Sequence, residues 1–173
     1  GRPSPRYGSV CLGTSFTERP QVLTKLRQAL IDLYSVEPFD FVFVESAINL
    51  NMGHNTSPDN IRLAERLMGT IEGLCYELRV RRIFEYEPRQ WQPGFCGRDE
   101  HDLIKRAAKR AQRSARDPIK AAVQERCRLF GFKPRNSDEA DAIGILTHGL
   151  LSRNITPPWL ASETLQTPLE IPA

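Results

Sequence analysis

A run of apolar residues in the first third of the chain constrains the fold more than any other feature. Pro38 interrupts the preceding segment, and residues 39–44 are nearly all aromatic or β-branched. This composition predicts a strand that is buried on both faces, as the strands of parallel sheets in α/β proteins are. The strand ends in Glu45. The chain is therefore expected to pack helices on a sheet built around residues 39–44.

Apolar spacing, capping residues and prolines predict the other elements. Ser57 followed by Pro58 is typical of a helix start. Asn136 is expected to cap the last helix, with Glu139 as its capping partner. The further predictions are helices over 17–34, 57–78 and 117–131, a basic helix around 103–116, strands over 7–12 and 80–86, and a loop over 92–97. The strand over 7–12 resembles the outer strand of a hairpin.

The length of 173 residues fits one domain with a sizeable core. We assign residues 1–154 to this domain. Residues 155–173 contain four of the prolines and are expected to form an extended tail.

Positive charge is concentrated in one segment, although the net charge is only +3. The segment 103–116 holds six basic residues and no acidic one: Lys105, Arg106, Lys109, Arg110, Arg113 and Arg116. Such a run is often a solvated helix face, but its self-repulsion favours a polyanionic partner such as a phosphate backbone. We expect these residues to bind DNA.

The cysteines and the hydropathy indicate a chain of the cytoplasm. The four cysteines are widely and irregularly spaced, which gives neither a zinc-binding pair nor a disulfide framework. No apolar run approaches the ~18 residues that a membrane span needs.

Three carboxylates are candidates for a metal site. Glu45 stands at the end of the central strand, where ligands gather in open α/β sheets. Asp138 and Asp141 are three residues apart at the start of the last helix and share one face. Mg²⁺ prefers such oxygen ligands. The alternative is that Glu45 is simply a solvated residue and that the aspartates complement the helix dipole.

The order of these motifs resembles the RuvC-type Holliday-junction resolvases. The sequence Asp-Glu-Ala-Asp-Ala at 138–142, followed by Thr147-His148, is similar to the family's last motif. Val44-Glu45 is similar to its second motif, His54-Asn55 to the loop that follows, and residues 85–90 to its next strand and turn. Lys120 lies close to where the family has a lysine on the penultimate helix. The resemblance spans residues 39–154.

The resemblance implies an α/β, RNase H-like fold in which a mixed sheet is flanked by helices. It implies a homodimeric endonuclease that cuts branched DNA, specifically four-way junctions, with Mg²⁺ or alternatively Mn²⁺. The implied catalytic residues are Glu45, Asp138 and Asp141 as metal ligands and Lys120 as the group that neutralises the scissile phosphate. Arg89 would contact DNA. A branch-migration helicase would be a further partner, in a bacterium or a phage-infected host.

The chain departs from the family's pattern in its first motif. That motif is an aspartate on the opening strand, and neither Asp32 nor Asp40 is in a position to supply it. We expect about twenty further residues before Gly1, on the order of one strand and its lead-in, including this aspartate. In addition, Gln92 stands where the family can carry a lysine. His148 is about 10 Å along the helix from Asp141, so an outer or structural role is expected for it.

Two other functions remain open at this point. A nuclease of the same fold could act on a flap or on an RNA–DNA hybrid. A non-catalytic nucleic-acid-binding domain could have kept the fold without the first aspartate.

Overall fold

The computed structural model describes residues 6–14, 16–46 and 57–160, within which six helices and two strands are defined. The chain divides into two units. The first, Ser9–Pro88, is called the sheet unit here; the second, Gly1–Gly8 with Arg89–Ala173, is called the helical unit. The described residues thus form an α/β protein that is mostly helical, which confirms the predicted class.

The sheet unit has the order helix, strand, helix, strand. Its elements are α1 Arg19–Val36, β1 Phe41–Glu45, α2 Pro58–Glu77 and β2 Arg82–Tyr86. The two strands pair in parallel, with Phe41 opposite Arg82 and Glu45 opposite Tyr86. The Ser57 side chain accepts a hydrogen bond from the backbone N–H of Asn60, and Pro58 is the first residue of α2. The predicted strands, both helices and the α2 cap are confirmed.

Aromatic rings cover one face of this two-stranded sheet. The rings of Phe43 and Phe84 are stacked with centroids 5.6 Å apart, and the ring of Phe41 is stacked 5.9 Å from that of Phe43. The guanidinium of Arg82 lies 5.0 Å from the centre of the Phe41 ring. All four residues of β1 before Glu45 are half-buried, whereas Glu45 itself is exposed. Glu45 is thus the first solvated position after an apolar strand.

The helical unit contains α3 Pro88–Cys96, α4 Arg98–Arg110, α5 Arg116–Leu129 and α6 Ser137–Leu151. Its core includes Trp91, Val123 and Cys127, each 0% exposed. Trp91 lies against Gly144 of α6 so closely that a Cβ at this glycine would lie 2.5 Å from the indole ring. A helix position without a side chain is therefore required for α3 to pack on α6.

Residues beyond Asn154, which the sequence assigned to a tail, also contribute to the helical unit. Pro157 and Trp159 are buried. The indole Nε1 of Trp159 donates a 3.1 Å hydrogen bond to the Thr147 hydroxyl, and its ring meets that of Phe132 edge to face. The segment up to Leu160 is thereby attached to α6.

Three sequence predictions are wrong. Residues 7–12 form no strand: Tyr7 instead places its ring edge against Phe132 and accepts the Lys133 backbone N–H, while Val10 is 64% exposed. The predicted loop over 92–97 is mostly helix α3, because Trp91, Phe95 and Cys96 bury one side of it despite an internal Pro93.

The third wrong prediction is the continuous basic helix. Helix α4 ends at Arg110, and a turn in which Gln112 has a φ of 50° separates it from α5. The Arg113 N–H bonds back to the Ala108 carbonyl, which closes the helix end in the usual manner for a left-handed terminal residue. The basic segment is therefore divided between two helices.

Two finer fold predictions are not decided by these elements. The RNase H-like topology and the mixed sheet stay predictions. Within the described part of the chain, no helix is both long and apolar enough to cross a membrane.

Candidate functional site

Helix α6 presents Asp138 and Asp141 in its first turn and a half. The Asn136 side chain caps this helix by accepting the Glu139 backbone N–H at 2.9 Å, as predicted. Asp138 is exposed, and Asp141 is half-buried. The Oδ1 atom of Asp141 is shielded from solvent and has no hydrogen-bond donor among the described residues. A buried carboxylate oxygen without a donor is costly and is a position that a cation would stabilise.

The surroundings of Asp141 oppose its ionisation. Burial raises the pKa of this carboxyl group, and the negative charge of Asp138 raises it further. The cations Lys120 and Arg116 act in the opposite direction without overcoming the effect of burial. Two close carboxylates in a partly dry site attract positive charge, which is the electrostatic requirement for a metal site.

Lys120 reaches this pair from the neighbouring helix α5. Its Nζ donates a 3.0 Å hydrogen bond to the Ser137 hydroxyl, and that hydroxyl donates in turn to Asp138 Oδ1 at 3.3 Å. Lys120 is half-buried, so its ammonium group is held between α5 and the start of α6. Ser137 was not singled out from the sequence, because a serine at a helix start has an ordinary capping explanation.

Glu139 lies between the two aspartates in sequence but serves a different purpose. It is 1% exposed and accepts the backbone N–H of Arg135 at 2.8 Å and the Nε of the same residue at 3.0 Å. The predicted capping partnership is thus half right: the backbone of Glu139 binds the Asn136 cap, while its side chain binds the residue before that cap. Glu139 is used to hold the start of α6.

Glu45 belongs to the sheet unit, whereas Asp138 and Asp141 belong to the helical unit. Its carboxylate lies at the end of β1 beside a hollow of about 210 Å³, which is also lined by Ser46 and by Leu67 and Met68 of α2. Over residues 6–14, 16–46 and 57–160, no group of three or more histidine, cysteine, aspartate or glutamate side chains is placed to hold one metal ion. The convergence of Glu45 with the aspartates stays a prediction.

The basic segment places its cations on the surface. All six basic residues are exposed: Lys105, Arg106, Lys109 and Arg110 on α4, Arg113 in the turn and Arg116 at the start of α5. His101 and Ala108 are buried on the other side of α4. Burial lowers the pKa of His101, so its imidazole is neutral at pH 7 and adds no charge to the segment. Arg89, on α3, is also exposed.

The remaining residues of the sequence motifs have other surroundings. His148 lies in the last turn of α6, where burial lowers its pKa. His54 and Asn55, assigned to a loop from the resemblance, lie outside the described residues. Burial raises the pKa of Cys96 to about 11 and that of Cys127 to about 12, so these thiols are protonated at neutral pH.

No protein-family model matches this chain, and neither a curated protein nor a solved structure matches it.

Proposed function

We propose that this chain is a metal-dependent endonuclease domain with an RNase H-like fold that cuts four-way DNA junctions. The observation that carries the proposal is the arrangement at the start of α6. Asp141 keeps a buried oxygen without a donor among the described residues, next to Asp138 and within the electrostatic influence of Lys120. The basic segment supplies the charge for a nucleic-acid substrate.

The donor set fits Mg²⁺, which binds through few carboxylates and retains several waters. Asp138 and Asp141 would hold the metal, together with Glu45 from the other unit. Two bound ions would supply activation of a water molecule and stabilisation of the leaving oxygen in phosphodiester hydrolysis.

The protein's own groups would prepare the substrate for this chemistry. Lys120, now bonded to Ser137, would donate to a non-bridging oxygen of the scissile phosphate and offset its developing charge. Exposed cations on both sides of the turn between α4 and α5 would contact phosphates without reading bases. Homodimerisation would present two such sites to the symmetric arms of a junction.

The test compares cleavage of a synthetic four-way junction with cleavage of its component duplexes, in Mg²⁺ and in EDTA. We expect Mg²⁺-dependent cutting of the junction alone. Glu45→Gln, Asp138→Asn and Asp141→Asn should abolish cutting while junction binding survives. Asp32→Asn on α1 is the matched control and should cut normally. If the three carboxylate variants cut as well as the unsubstituted chain, the metal site is wrongly assigned.

The fourth carboxylate implied by the resemblance adds one comparison. Robust cleavage by the 173-residue chain would mean that three carboxylates suffice. Independent of cutting, Mg²⁺ should raise the melting temperature of the unsubstituted chain and not that of Asp141→Asn, because a ligand stabilises only the state that binds it.

The exposed basic segment favours a second function, non-catalytic binding of branched DNA. This function needs the six cations and none of the carboxylates. Junction binding that is unaffected by Mg²⁺, without cutting under any metal condition, would support it over the nuclease.

A further inference from the structure

A cavity in the helical unit lies apart from the carboxylates of the proposed metal site. It is enclosed by α3, α5, the end of α6 and the segment that reaches Leu160, and its volume is about 110 Å³. Along α6, His148 in its wall stands about 10 Å from Asp141. The nuclease proposal assigns no role to this cavity.

The walls of the cavity are mainly apolar. Phe95 and Phe130 meet edge to face with their ring centroids 5.8 Å apart, and Leu151 and Leu160 complete the lining. Gly94 leaves one side open. A dry cavity of ~150 Å³ lined by such residues can hold a benzene molecule. The space here suits a body of about one ring or a short aliphatic chain and is too small for a nucleotide.

One cation lines this apolar space. The guanidinium of Arg126 lies over Phe130 with its central carbon 4.6 Å from the ring centre, and Arg126 is half-buried. A guanidinium in a low-dielectric wall presents a planar set of donors that matches a carboxylate. The fixed position over the ring reduces the ordering that ligand binding would otherwise require.

The other polar groups of the lining define the ligand further. Burial lowers the pKa of His148, so the imidazole is neutral at pH 7 and offers one donor and one acceptor. The Thr147 hydroxyl is engaged, since it donates to the Ile143 carbonyl at 2.7 Å and accepts the Trp159 indole N–H at 3.1 Å. Among the described residues that line the cavity, Arg126 is therefore the positive group and none carries a carboxylate.

We propose that this cavity binds a small monocarboxylic acid with an apolar body, its carboxylate on Arg126 and its ring or chain between Phe95 and Phe130. The charge complementarity selects the anion, and the aromatic walls select the apolar body. A dianion or a nucleotide phosphate lacks the apolar body that fills the space.

The test titrates the full 173-residue chain with benzoate and follows binding by calorimetry and by shifts in the NMR signals of the protein. Saturable binding with a Kd of about 1 mM or tighter is expected for a ligand of this size. Benzamide has the same shape without the charge and should bind at least tenfold more weakly. Inorganic phosphate should not compete.

Three variants locate the binding. Arg126→Gln should weaken benzoate binding at least tenfold and leave benzamide binding unchanged. Arg128→Gln, which removes a cation of the same helix that is exposed and paired with Glu125, is the matched control and should bind normally. Gly94→Leu should block both ligands, since a Cβ there already lies 3.8 Å from His148 Nδ1.

The outcomes separate the proposal from its alternatives. No saturable benzoate binding below about 10 mM, equal binding of benzamide, or an equal loss in Arg128→Gln would each overturn it. The comparison of benzoate with benzamide uses the unsubstituted protein, so it decides the question even if a variant fails to fold. Competition by phosphate would overturn it as well, because it would point to an anion site of a different kind.

Discussion

Replacement of Gly144 by alanine tests the packing that sets the position of α6, and with it the position of the two aspartates. A Cβ at residue 144 would lie 2.5 Å from Cζ3 and 3.0 Å from Cε3 of Trp91. Trp91 is 0% exposed, so its ring has no open space to enter. The added methyl group must therefore displace α3 or α6.

The magnitude follows from two opposing effects. Overpacking of a full core costs about 1–3 kcal/mol. Alanine gains up to about 1 kcal/mol over glycine in a helix. The free energy of unfolding should fall by about 1–2 kcal/mol, which at a urea dependence of ~1–3 kcal/mol/M lowers the midpoint by about 0.5–1 M.

Tryptophan fluorescence during urea unfolding is a suitable assay, because both tryptophans, Trp91 and Trp159, belong to the helical unit. Gly94→Ala is the matched control: its Cβ meets only His148 Nδ1 at 3.8 Å, an ordinary contact, so stability should stay equal or rise. In a Trp91→Leu background, Gly144→Ala should lose most of its cost. If Gly144→Ala is as stable as the unsubstituted chain, or costs the same without the indole, the reasoning is refuted.

Two further predictions concern charge. Because the pKa of Asp141 is raised in the folded state, the folded chain binds this proton more tightly than the unfolded chain, and stability is lost as pH rises from about 4 through the folded pKa. Asp141→Asn should therefore be more stable than the unsubstituted chain at pH 7 in EDTA and equal to it near pH 4, as thermal melts can measure; a variant less stable at pH 7 would contradict this. Replacing Lys105, Lys109 and Arg113 by glutamine should weaken binding to all DNA alike and make the salt dependence shallower by ~0.9 for each phosphate that the variant no longer binds, whereas an unchanged slope would mean that the segment is only a solvated surface.

The sequence predicted those elements whose local signals agree with their burial. Residues 39–44 carry aromatic and β-branched side chains and become β1 of a parallel pair. Asn136 has the side chain and the position of an N-cap and is one. In both cases the residue type and the tertiary environment favour the same backbone conformation.

The failures occur where tertiary contacts outweigh the local signal. Pro88 and Pro93 suggested an irregular segment, but Trp91 and Phe95 bury one side of a short helix there. Tyr7 has a strand-forming neighbourhood, yet its contacts are with Phe132 and Lys133, far along the chain. No local pattern contains this information.

The candidate site was partly predictable for the same reason. Asp138 and Asp141 are one helical turn apart, so their proximity follows from the spacing. The contact of Lys120 with Ser137 crosses two helices and depends on how α5 packs on α6. Arg126 and His148 share a cavity although they are 22 residues apart, and nothing in their sequence neighbourhoods indicates it.

The parallel pairing of β1 and β2 has a consequence for the order of folding events. Phe41 pairs with Arg82, so the first ladder contact closes a loop of about forty residues, and a tight hairpin turn cannot bring parallel neighbours together. Helix α2 lies within this loop and forms through local contacts alone. Its formation shortens the distance that the rest of the chain must close, which places α2 before the sheet in time. Weakening α2 should therefore slow folding of the sheet unit, whereas truncating a ring on the sheet face should mainly hasten its unfolding.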